Sequence, residues 1–89
     1  MHISGLVVAF EPDLVVIQSA ISAIQKAGPF TVGELAGQRL SVVMEVATPE
    51  DSLRWHRWLI ELPGVLDVNV AYVSVADQDA EVIAQGAQS

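Results

Sequence analysis

"LPGVLDVNVAYVSV" occupies residues 62–75, and the way its apolar residues alternate decides the fold. Successive side chains of a strand point to opposite faces of a sheet. A strand starting after Pro63-Gly64 therefore sets Leu66, Val68, Val70 and Tyr72 on one face, and Asp67, Asn69, Ala71 and Val73 on the other. The first set reads as the face of a core strand. The second is only half polar, so the far side of this sheet carries apolar groups that a fully solvated surface does not need.

Before Pro63-Gly64, "TPED" (48–51) reads as a helix start, with Thr48 as N-cap, Pro49 in the first helical position and Asp51 three residues past the cap. That helix is expected to run to about Leu62. Upstream, "RLSVVMEV" (39–46) alternates as a strong strand, with Leu40, Val42, Met44 and Val46 on one face and Ser41, Val43 and Glu45 on the other. "AGQ" (36–38) joins it as a tight hairpin to a weaker strand, "FTVGEL" (30–35), where Gly33 suits an edge or a bulge.

The first strand, "ISGLVVAF" (3–10), is β-branched and apolar on both parities, as a central strand is. Its bulkier set is Leu6, Val8 and Phe10, which leaves Gly5, Val7 and Ala9 for the opposite face. "EPD" then breaks the strand, with Glu11 and Asp13 at the positive end of a helix. Leu14, Ile17, Ala20, Ile21 and Ile24 recur at helical spacing to about residue 27, whereas Val15 lies on the exposed side. Gly28 and Pro29 end that helix.

The order is β-α-β-β-α-β. Right-handed crossovers put both helices on one face of a four-stranded antiparallel sheet, with the first and third strands central. This is the ferredoxin-like α+β fold. It predicts a single domain over residues 1–76 and a flexible polar tail over 77–89.

Composition narrows the function. With 89 residues the chain suits one domain that buries about 60–65% of its unfolded surface, and 52% hydrophobic residues supply its core. A net charge of −7 with only four Lys and Arg argues against nucleic acid, whose phosphates are bound by cations. The lack of Cys rules out disulfides and thiolate metal sites. "MHISGLVVAF" has no basic residue ahead of its apolar run, so the expectation is a cytoplasmic protein without a membrane span.

Catalytic chemistry is not suggested. There is no P-loop, GxGxxG or HExxH, and the only two His, His2 and His56, have no triad or metal spacing around them. Neither an enzyme nor a cofactor is expected. The densest cluster, Trp55, His56 and Trp58 with Arg54 and Arg57, reads as a core-facing helix stripe with arginine stems along its margins. The sharper reading makes Trp58 an anchor for a partner.

What remains is the uncovered sheet face, where Val7, Ala9, Val43, Ala71 and Val73 make a platform bordered by Glu45, Asp67 and Asn69. Apolar patches rimmed by polar groups mark binding surfaces. These eight residues are the candidate site.

Three of these segments, "HISGLVV", "GQRLSVVMEV" and "LPGVLDVNVAYV", together resemble the NapD family over roughly residues 2–75, in the right order and spacing. That family consists of small cytoplasmic chaperones of the periplasmic nitrate reductase catalytic subunit. The resemblance implies a ferredoxin-like fold and no catalytic residues. It also implies binding to the twin-arginine signal peptide of the reductase precursor, which delays export until the molybdenum cofactor is inserted. The chain departs from the family pattern at Val73, where many relatives carry His. A twin-arginine peptide is basic and then apolar, so the platform would take its apolar part and Glu45 and Asp67 its arginines. The expected state is a monomer or weak dimer. Two other readings of the same fold are an ACT-like small-ligand regulatory module and a structural dimerisation domain.

Overall fold

The computed structural model describes residues 1–75, with elements β1 (His2–Phe10), α1 (Leu14–Lys26), β2 (Phe30–Ala36), β3 (Arg39–Val46), α2 (Pro49–Ile60) and β4 (Val65–Val75). The four strands form one antiparallel sheet in the order β2-β3-β1-β4. This is the ferredoxin-like arrangement, with β1 and β3 central. The segment expected to be a polar tail, 77–89, lies outside the described residues, as does residue 76.

Both helices begin where the sequence places a cap. Asp13 Oδ1 accepts from the Val15 and Val16 amides at 3.0 and 3.3 Å. Thr48 Oγ1 accepts from the Asp51 amide at 3.1 Å, with Pro49 at the first position. Each cap satisfies amide donors that the helix itself cannot reach. The α2 helix ends at Ile60, two residues before the expected end, and Leu62 instead accepts a turn bond from the Val65 amide at 3.2 Å.

Helix-side residues of the sheet make the core: Leu6, Val8 and Phe10 from β1, Leu40, Val42, Met44 and Val46 from β3, and Val68 from β4. Ile17, Ala20 and Ile24 of α1 and Leu59 of α2 close over them. Leu14, read as the start of the α1 stripe, is 71% exposed. It is the first residue after the cap and extends past the end of the buried stripe.

The two Trp of α2 belong to the packing. Trp55 stands edge-on to Phe30 with centroids 5.5 Å apart, Trp58 stacks on Phe30 at 5.8 Å, and the two indoles meet edge-on at 5.3 Å. Such pairs are each worth about 0.5–1.5 kcal/mol beyond area burial. Both indoles pack against the core as partly buried groups, and Arg54 lies 6.0 Å from the Trp55 ring centre.

The β4 strand departs from simple alternation twice. Leu6 pairs with Val70 but Gly5 pairs with Tyr72, which leaves Ala71 as an extra residue; Ala9 pairs with Asp67 but Phe10 with Val65, which leaves Leu66 as another. Each β-bulge puts two residues opposite one and reverses the face parity beyond it. Tyr72 is therefore paired with the outward Gly5 and is not a core residue; it is 52% exposed. Val73 pairs with the buried Ser4 and falls on the helix side. Leu66 and Val70, also expected in the core, are 64% and 49% exposed, since Leu66 is a bulge residue and β4 is an edge strand.

Candidate functional site: the open sheet face

Antiparallel partners share a face, so the register lays out the uncovered side of the sheet as four rows across the strands. The first row holds Glu45, Ile3 and Ser74; the second Thr31, Val43, Gly5 and Tyr72. The third holds Ser41, Val7 and Asn69; the fourth Ala36, Arg39, Ala9 and Asp67. Six residues of β1 separate the first row from the fourth, about 20 Å at the rise of a strand.

Seven of the eight candidate residues come together here. Val7, Ala9, Val43, Glu45, Asp67 and Asn69 lie in the rows, and Ala71 joins them from the bulge as part of a groove. Val73 does not, because the Ala71 bulge turns it to the helix side. Tyr72 takes its place. The one-residue parity error moves an aromatic ring, not a valine, onto the candidate surface.

Gly5 shows why the ring fits. A Cβ built on it would fall 2.6 Å from the Tyr72 Cζ and closer still to the ring edge, so the ring rests directly on the backbone of β1. A strand-interior glycine often marks such a close approach. The signal was present in the sequence as a lone Gly among β-branched residues, but without the bulge nothing connected it to Tyr72.

The groove beside the ring has a volume of about 300 Å³ and is bounded by Val7, Thr31, Gly33, Val43, Ala71 and Tyr72. Gly33 sits in a third bulge, between Val32 and Leu35, and keeps the β2 rim low where it meets Ser41. The middle of the face is thus apolar and concave. Within the four rows, the charged groups are Glu45 in the first and Arg39 and Asp67 in the fourth.

Those ends differ. Asp67 Oδ1 accepts from the Val68 amide at 2.9 Å and Oδ2 from Asn69 Nδ2 at 3.1 Å, while Arg39 shares its row. At the other end the Glu45 amide bonds to the Pro29 carbonyl at 2.9 Å, which fixes the backbone from which its exposed side chain projects.

A second groove, of about 420 Å³, runs on the helix side between α1 and the end of α2, lined by Val15, Val16, Ser19, Ala23, Leu62 and Pro63. It is larger, and neither groove is lined by a charged group; the open-face groove differs in having Glu45 and Asp67 in the rows that flank it. Among the described residues no three His, Asp or Glu come together as a metal site, and no helix is long and apolar enough to cross a membrane. No family model, curated protein or solved structure matches this chain.

Proposed function

We propose that this protein is a chaperone-like binder of a twin-arginine signal peptide, in keeping with its NapD-like sequence segments, and that the open face of its sheet receives the peptide. The resemblance makes the cargo the precursor of a periplasmic nitrate reductase catalytic subunit, held in the cytoplasm until the molybdenum cofactor has been inserted. One observation carries the reading: an apolar groove across the middle two rows, with a carboxylate in each outer row, on a face that none of the described elements covers. A peptide that is basic and then apolar is its chemical complement. The chain's net charge of −7 adds a long-range attraction for such a peptide.

The reading is tested by Val43→Asp, which puts a carboxylate in the groove while leaving the helix-side core untouched. The variant is expected to fold and to lose affinity for a synthetic twin-arginine peptide at least about tenfold, because the new charge has to be desolvated against apolar side chains. Val42→Asp, one residue away and 1% exposed, is expected to unfold the domain. Normal binding by folded Val43→Asp, with loss on Val32→Pro in a folded protein, would move the site to the β2 edge.

A second reading has its own support. The edge strand β4 is 11 residues long, has one charged residue, Asp67, and leaves Leu66, Val70 and Val73 exposed. Such an edge invites pairing with another copy. A mass that rises with concentration in sedimentation, with no affinity for the peptide, would favour a dimerisation domain.

A further inference from the structure

A basic-then-apolar peptide on this face could run in either direction along the rows, and the charges there are not equivalent. The direction rests on the peptide-binding reading. Asp67 is already committed: both oxygens accept hydrogen bonds, and Arg39 faces it across Ala9, about 10 Å away by strand spacing. An arriving guanidinium would meet a hydrogen-bonded carboxylate and a like charge. Glu45, in contrast, accepts no hydrogen bond on its side chain and forms no salt bridge among the described residues. No described residue occupies its lone pairs, which can therefore accept from an arginine.

One row further in stands the Tyr72 ring, which reaches from β4 over Gly5 toward the strand that carries Glu45. The Cα atoms of Glu45 and Tyr72 are two strands and two residues apart, about 12 Å from the dimensions of a sheet. Between them lie only Ile3 and the bare Gly5. That spacing suits a planar guanidinium, which can donate to a carboxylate at its edge while its face stacks on an aromatic ring.

We infer that Glu45 and Tyr72 form the arginine seat of the open face. The peptide then runs from the Ile3 row toward the Ala9 row, with its apolar stretch over Val43, Val7 and Ala71 and its far end beside Arg39. Among the described residues, Glu34, which with Gly33 opposes Ser41 at the β2 bulge, is a further acidic group close to the rows, and it lies off this path.

Calorimetry with two synthetic peptides tests the direction: one with two adjacent arginines ahead of an apolar stretch, the other with both arginines replaced by Gln. The wild-type protein is expected to prefer the arginine peptide by about tenfold or more, the size of one charge-assisted hydrogen bond. In Glu45→Gln that preference should largely vanish while affinity for the Gln peptide is unchanged. Asp67→Asn and Glu34→Gln should retain it. Preference intact in Glu45→Gln, or lost in either of the other two, would overturn the seat. Equal binding of both peptides by the wild type would reject the seat alone, and no binding of either would reject the peptide reading and the direction with it.

Discussion

Gly5 has no side chain, and the Tyr72 ring occupies the space one would fill. The two residues act as a unit, which makes their energetic coupling measurable. Gly5→Ala forces the ring off the strand and is expected to cost about 1–3 kcal/mol, the range for overpacking. In a Tyr72→Ala background the same change should be close to neutral, because the methyl group enters vacated space. Urea denaturation of the four proteins in this cycle is expected to give a coupling of about 1 kcal/mol or more. Additive effects would mean that the ring does not rest on Gly5. Much at this scale was legible in the sequence: Val43, Glu45, Asp67 and Asn69 follow from alternation, Val7 and Ala9 from the bulk of Leu6, Val8 and Phe10, and the structure puts all six on one face. Tyr72 and Val73 did not follow, because a bulge is a local choice between two ladders that differ by one residue. Nothing in "NVAYVSV" marks Ala71 as the extra one.

Secondary-structure elements obey the same division between what is encoded locally and what the neighbours decide. Helix starts are local, and Asp13 and Thr48 were readable as such because a side-chain oxygen at the cap reaches amides two or three residues on. Thr48→Ala is expected to destabilise the domain by about 1 kcal/mol, as is Asp13→Ala. Thermal or urea melts would show it, and a loss near zero at either position would mean that water replaces the cap without cost. Where β4 enters the sheet is not local. Gly64 adopts φ +89, and the position a Cβ would take there is filled by the Val16 side chain, so α1 packs directly on the turn that starts β4. The Glu11 amide also donates to the Gly64 carbonyl at 2.8 Å. Pro63-Gly64 announced a turn, but its docking against α1 depends on contacts some fifty residues apart in the chain, and no periodicity records them. The early end of α2 belongs to this same turn.

Across the whole molecule, two layers give the sheet one dry face and one open face. The dry face collects the buried residues of all four strands and both helices, with Phe30 and the two indoles sealing the β2 side. The open face keeps Val7, Val43, Ala71 and the Tyr72 ring in its middle and charge in its outer rows. The layering was readable because right-handed crossovers leave only one place for the helices. The asymmetry of the ends was not, since the hydrogen bonds that occupy Asp67 and the register that sets Arg39 in the same row, across Ala9, exist only in the folded sheet. The central claim, that the open face is where the peptide lies, is tested most directly by amide chemical-shift mapping of the labelled protein during titration with a twin-arginine peptide. The account predicts saturable shifts concentrated at Ile3, Gly5, Val7, Val43, Glu45 and Tyr72, with α1 and the β2 edge little changed. Shifts concentrated along Phe30–Ala36 or in the groove between the helices, with those six amides unmoved, would contradict it.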